Sequence, residues 1–326
     1  MKRLILIMLL AGLAVGAFAT PTVEEQTTIG ISKFVTHPAL DAAEQGIKDE
    51  LADLGYTDVV YDVQDSNADF TTARTIASKF KADKVDLAIA IATPNAQALV
   101  GAITDIPVIF TLVTDPIAAE LMPSLAGGGG NVTGYSDMTP VREQLELLVQ
   151  FGNIETLGHV YSSGEANAVV LAEMAEEVCD ELGIDFVSAT VTNSAEVRQA
   201  TQAIIDRVDV LYVSTDNTVV SALTSLVDVA TAAGIPVMSA DPSSAEEQGV
   251  LAAYGFDYYG MGRATGRLVA DVLEGADPND IPVQFMTSAE DLILHINLDV
   301  AKDLGITLPD SLVSRAQKIV EDGTLR

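Results

Sequence analysis

This sequence predicts an α/β protein of two similar lobes, each a parallel sheet with helices on both faces. Three observations carry the expectation. Short apolar strand patterns alternate with amphipathic helix patterns over nearly the whole chain, as they do where parallel strands are joined by covering helices. The alternation breaks at Gly127-Gly128-Gly129-Gly130 and then restarts. Landmarks also recur in order at nearly constant separation. Gly55 and Gly183 stand 128 residues apart, Pro107 and Pro236 129, and Asp115 and Asp241 126, while VDLAIAIATPNAQ from Val85 returns as VDVLYVSTDNTVV from Val208, 123 residues on.

Residues 29–32 read as a first strand. Pro38 then opens a helix whose apolar positions Leu40, Ala43, Ile47, Leu51 and Leu54 recur at helical spacing until Gly55 stops it. Residues 59–63 are a strand, 71–80 a helix, 87–92 a strand, 96–102 a helix and 107–111 a strand. After the glycine run, Thr139 and Pro140 cap a helix through Val149. The second round reads strand 157–161, helix 167–182 with Val170, Met174, Val178 and Leu182 on one face, strand 186–191, helix 195–206, strand 210–213, helix 218–233 and strand 236–239. A helix at 258–273 and a strand at 292–296 have no earlier counterpart, so the chain is expected to cross between lobes more than once.

The chain starts MKRLILIMLLAGLAVGAFATP: two basic residues, an apolar run and a small-x-small close at Ala17-Phe18-Ala19. Residues 1–19 are therefore expected to be a signal peptide and the mature protein a soluble extracytoplasmic one. The apolar run is short for spanning a bilayer. Cys179 is the single cysteine. It makes no internal disulfide and reads as a core residue. With 47 acidic against 17 basic residues and a net charge of −30, the chain repels phosphate backbones and anionic lipid, so nucleic acid is excluded as a partner.

Ligands of open parallel sheets bind beyond the carboxyl ends of the strands. Those tips hold Phe34-Val35-Thr36-His37, Thr93-Pro94-Asn95 and Thr114-Asp115 in the first lobe. In the second they hold Ser162-Ser163-Gly164-Glu165-Ala166-Asn167, Thr215-Asp216-Asn217 and Asp241. Two such lobes facing each other place both sets in one cleft, which is what the repetition is for. Thr93, Asn95 and Thr114 beside helix N-termini suit a carboxylate; Glu165, Asp216 and Asp241 suit an ammonium group, Asp216 foremost. Each of these acids is equally suited to a helix N-cap. Phe34 and Pro94 offer an apolar wall. No Lys or Arg lies in any tip, which argues against a phosphorylated ligand and for a zwitterion or a neutral solute. The glycine run lacks the spacing of a phosphate loop, no Gly-x-Ser-x-Gly elbow occurs, and His37, His159 and His295 lack metal-ligand spacing. Neither catalysis nor a cofactor or metal is expected.

The motifs IGISKFVTHPALDAAEQGIKDEL, IAIATPNAQA, IPVIFTLVTDP, GGNVTGYSDMTPVREQLELL, YSSGEANAVV, STDNTVVSAL, YGFDYYGMGRATG and LDVAKDLGITLPDSL, in that order, resemble ABC transporter substrate-binding proteins of the tryptophan/tyrosine type. The resemblance covers nearly the whole mature chain. It implies the type 1 periplasmic-binding-protein fold: two Rossmann-like lobes joined by three hinge crossings, near 134–138, 254–257 and 283–286. The lobes would be 20–135 plus 256–284 and 136–255 plus 285–326. It also implies an amino-acid ligand, often aromatic, and an ABC permease as partner for a monomeric binder. Matching motifs make Thr93, Pro94, Asn95, Thr114, Asp115, Glu165, Asn167, Asp216, Asn217 and Asp241 the ligand-binding residues. Phe34 and Ser163 join them from the tips. Two rival readings are a sensory ligand-binding ectodomain and an enzyme on the same two-lobed fold.

Overall fold

The computed structural model describes residues 26–247 and 249–326; the expected signal peptide lies outside them. The chain opens with β1 (Thr28–Lys33), α1 (Pro38–Asp53), β2 (Val60–Asp65), α2 (Phe70–Asp83), β3 (Leu87–Ile91), α3 (Thr93–Ala102), β4 (Val108–Val113) and β5 (Val132–Ser136). The second round is α4 (Val141–Leu148), β6 (Thr156–Ser162), α5 (Ala166–Leu182), β7 (Asp185–Val191), α6 (Val197–Ile204), β8 (Val210–Val213), α7 (Asn217–Val220), α8 (Leu223–Ala233), β9 (Val237–Ser239), α9 (Ser244–Glu247) and β10 (Ala252–Phe256). The chain closes with α10 (Tyr258–Leu273), β11 (Gln284–Phe285), β12 (Leu292–Asn297), α11 (Leu298–Asp303), α12 (Asp310–Val313), β13 (Lys318–Glu321) and β14 (Thr324–Leu325).

The strands form two sheets, ordered β11-β5-β4-β3-β1-β2 and β14-β13-β12-β10-β9-β8-β6-β7. The first is parallel throughout. The second is parallel from β7 to β10, but β12 runs antiparallel to β10 and β14 to β13. That edge is built by the last segment of the chain, which enters without a covering helix before it and so is free to pair in the opposite sense. Sheet membership makes the chain pass between lobes three times: after β5, after β10 and after β11.

Alternation in β3 shows how the first lobe is buried on both faces. Leu87, Ile89 and Ile91 join Ile29, Ile31 and Ile47 on the side covered by α1 and α10. Ala88 and Ala90 join Phe80, Leu99 and Phe110 on the side covered by α2 and α3. In the second lobe Leu157, Val210 and Tyr212 pack with α4 and α5, and Val160, Leu211 and Val213 with α6 and α8. The helix at 258–273 belongs to the first lobe because it seats on α1 through glycines. A Cβ on Gly262 would lie 2.2 Å from the Ala43 carbonyl oxygen, and one on Gly46 2.4 Å from that of Tyr259. Arg263 pairs with Glu50 and Asp53 across the same contact.

Four elements show how the structure departs from the sequence reading. α3 starts at Thr93 rather than 96, because Pro94 fits the first helical turn, where its missing N–H is not needed. The helix expected over 218–233 is two, broken between Val220 and Leu223. β5 and β10 went unread because each carries a glycine, Gly134 and Gly255, in a short apolar run. A Cβ at either would fall about 2 Å from a neighbouring backbone carbonyl, that of Phe110 in β4 or of Ala240 just past β9, so the close approach itself demands glycine.

Candidate functional site

The carboxyl ends of both sheets meet in a cavity with about 460 Å³ of empty space, its opening to solvent included. Both lobes line it. The first contributes Val35, His37, Ala39, Leu40, Ala92, Leu112 and Thr114, the second Asn167, Thr215, Asp216, Asn217, Val220 and Asp241, and the interlobe passages Asp137 and Tyr258. Five sequence-predicted residues are therefore together on its wall: Thr114, Asn167, Asp216, Asn217 and Asp241.

The other seven are not on it. Phe34 is fully buried in the first lobe, its ring 5.2 Å from that of Phe70. Pro94 lines a groove with Arg74 and Gly101 on the outer side of that lobe. Asn95 is consumed internally: its Nδ2 donates to Ser32 Oγ at 2.6 Å and to Ser66 Oγ at 3.0 Å. Asp115 accepts from the Ile117 and Ala118 N–H groups and closes a turn. Ser163 is exposed and donates to the Val191 carbonyl at 3.4 Å. Thr93 is buried at the N-terminus of α3, its Oγ1 without a hydrogen-bond partner.

Glu165 stands behind the wall. It accepts from Thr218 N (2.9 Å), Thr218 Oγ1 (2.6 Å) and Asn217 Nδ2 (2.6 Å), and so holds the start of α7. Asp216 is the N-cap of that turn. It accepts from Val219 N at 2.9 Å and reaches across to Ser162 N at 2.5 Å. Burial, then the nearby Glu165, holds the Asp216 carboxyl well above the usual carboxylate range. Asp241 accepts from Ser243 N (2.9 Å), Ser243 Oγ (2.8 Å) and Ser244 Oγ (3.5 Å). Its Oδ2 lies 3.7 Å from Nδ1 of His37 in the opposite lobe. That nitrogen also accepts the Ala39 N–H at the start of α1, at 3.3 Å.

Sequence reasoning missed the apolar wall and both residues on the passages. Ala92 and Leu112 line the cavity at φ 81° and 56°, in the region that side-chain-bearing residues rarely adopt. The turn at Ala92 points the N-terminus of α3, which no side chain caps, at the strand ends. Such non-glycine strain gathers at ligand clamps. Asp137 is 4% exposed, and its pKa is pushed up to about 6 by burial, with Thr114 Oγ1 donating to it at 3.3 Å. Burial, then Asp137 and Asp241, pushes the Tyr258 phenol up, so it stays protonated. A faint repeat in the sequence marks both: Gly134-Tyr135-Ser136-Asp137 at the first passage, Gly255-Phe256-Asp257-Tyr258 at the second.

Two lobes with discontinuous sequence and a cavity between them define a hinged solute binder. The family model for ABC transporter substrate binding protein matches residues 28–320, and the chain belongs to that family. It is 38% identical over 285 residues to a tyrosine-binding protein of Clostridioides difficile (strain R20291), covering 86% of this chain and 81% of the relative. An ABC domain from Streptococcus pneumonia solved in complex with L-Trp superposes at a TM-score of 0.87. It is 34% identical, and the match covers 90% of this chain and all of that one. The ligand-free, open structure of a substrate-binding protein with adhesive properties from Clostridium difficile gives 0.66 at 37% identity, over 87% of this chain and 96% of that one. In this structure the two lobes touch, with His37 facing Asp241 and Ala166 of the second lobe packed on the first-lobe core. Among the described residues no helix is long and apolar enough to cross a membrane.

Proposed function

We propose that this chain is the extracytoplasmic, monomeric binder of an ABC importer, and that it closes its lobes, 20–135 plus 256–284 and 136–255 plus 285–326, on an aromatic amino acid. The carrying observation is the division of labour around one cavity. The N-terminus of α3, which no side chain caps and which follows Ala92 on the wall, suits an α-carboxylate. Three carboxylates, Asp137, Asp216 and Asp241, suit a cationic nitrogen, and no Lys or Arg stands on the wall to pair an acidic side chain. Val35, Leu40, Leu112 and Val220 supply an apolar lining for a ring. The tyrosine-binding relative and the L-Trp complex support the same ligand class. No nucleophile–base pair enters this reading; ligand shifts an open–closed equilibrium, and a membrane permease with its ATPase reads the closed form.

Calorimetry and thermal shift with the twenty amino acids test it. L-tyrosine, L-tryptophan or L-phenylalanine should stabilise the fold by about 2.7 kcal/mol at a hundredfold excess over Kd. L-glutamate binding at least as tightly as these three refutes the reading.

A further inference from the structure

We propose that Asp137, on the first passage between the lobes, is the carboxylate that takes the ligand's ammonium group, so that ligand charge is read at the hinge. The inference rests on the amino-acid reading above and departs from the sequence expectation, which gave this role to Asp216.

Free acceptor capacity singles out Asp137 among the three carboxylates on the wall. Asp216 already takes two backbone N–H groups, and Asp241 takes one N–H and two hydroxyls. Both hold loops in shape. Asp137 takes one side-chain donor, the Thr114 hydroxyl, at 3.3 Å on Oδ1, and beyond it only its own backbone N–H acts on the carboxyl. No hydrogen bond from the described residues reaches its Oδ2, and that atom is not among the fully occluded unpartnered ones, so it faces the cavity that Asp137 lines. A buried carboxylate with so few donors is costly unless a cation completes it.

Its backbone is fixed. The Asp137 N–H donates to the Val113 carbonyl, extending the β4–β5 ladder, and Ser136 Oγ takes the Met138 N–H. Just beyond, Gln144 donates to Thr139 Oγ1 and to the Tyr254 carbonyl of β10. The first passage is thereby tied to the strand leading into the second. An ammonium held at Asp137 engages both.

The test is calorimetry on the mature protein and its Asp137→Asn, Asp216→Asn and Asp241→Asn variants. The probes are L-tyrosine and its des-amino analogue 3-(4-hydroxyphenyl)propanoate. Loss of one charge-assisted contact predicts a fall of roughly tenfold to a hundredfold for L-tyrosine in Asp137→Asn, with under about threefold change for the analogue. The other two variants should lose similarly for both probes or not at all. Because binding needs the ionised carboxylate, wild-type affinity should fall about tenfold per pH unit below about 6, and this limb should flatten in Asp137→Asn. His37, Glu165, Asp216, Asp241 and Tyr258, which face or back the same cavity, are common to both proteins and cancel in that comparison. Unchanged L-tyrosine affinity in Asp137→Asn, or an equal loss for both probes, overturns the assignment while leaving the ligand class standing. Failure of wild type to bind any aromatic amino acid overturns the ligand class and this inference with it.

Discussion

Replacing Asp137 by Asn should make the ligand-free protein more stable at neutral pH. The carboxyl is buried and its pKa is pushed up to about 6, against an ordinary value of 3.8. Folding therefore favours its neutral form. Below about pH 4 the group is protonated in both folded and unfolded chains and costs nothing. As pH rises through about 6 the folded protein must ionise it in place, and the full cost is present at pH 7 and above. At 1.36 kcal/mol per pH unit the gap amounts to about 3 kcal/mol. Asn has nearly the same shape, never ionises, and can keep a hydrogen bond to Thr114 Oγ1. Some of the gain is offset by desolvating the amide, so a net increase of about 1–3 kcal/mol at pH 7.5 is expected. Urea denaturation of ligand-free wild type and variant at pH 7.5, 6.0 and 4.5 measures it, and the difference should shrink towards zero at the lowest pH. His159, buried with its pKa lowered to about 4, makes both proteins less stable as pH falls from 6.5 to 4, and so cancels in the difference. A variant less stable than wild type at pH 7.5, or a difference that does not change with pH, refutes the reasoning.

Two further substitutions probe the frame. Glu165→Ala removes the acceptor for the Thr218 N–H and hydroxyl and for Asn217 at the start of α7. It should lower the urea-derived unfolding free energy by about 2–4 kcal/mol, and a change under 0.5 would mean that water replaces the carboxylate without loss. Gly262→Val pushes a side chain against the Ala43 carbonyl oxygen, a backbone atom that cannot swing away, so about 3 kcal/mol or more should be lost in the same measurement, and an unchanged midpoint would show that α10 shifts freely on α1.

Much of the fold was legible because the period of the hydrophobic pattern is set locally. The bounds of β8 and α10 agree with the pattern to the residue, and the repeated landmarks already implied two lobes. What escaped were β5 and β10, where a glycine needed for strand approach interrupts the apolar signal, and the antiparallel edge of the second sheet, which depends on partners far along the chain. The site was half legible for a related reason. Sequence places a residue at a strand tip but does not say which way it turns. Asn95 and Phe34 turn inward, the one into a cluster with Ser32 and Ser66, the other against Phe70.

The carboxylates show why composition alone misassigns such a site. Glu165, Asp216 and Asp241 sit in tips and look like ligand groups, yet each is bonded to N–H groups of its own lobe, and Glu165 and Asp241 to hydroxyls as well. Their charges help to shape the potential of the cavity while their lone pairs hold α7 and the loop after β9. Asp137 sits in no tip, and among the described residues a single side-chain hydrogen bond, from Thr114, reaches it. A chain carrying −30 overall, with three carboxylates and a single histidine on the cavity wall, draws in cationic groups and repels anionic side chains before any contact is made. Selection by charge thus belongs to the whole wall. On the proposed reading, coupling of charge to closure falls to Asp137, the cavity-wall carboxylate with the fewest donors, mounted on a passage between the lobes.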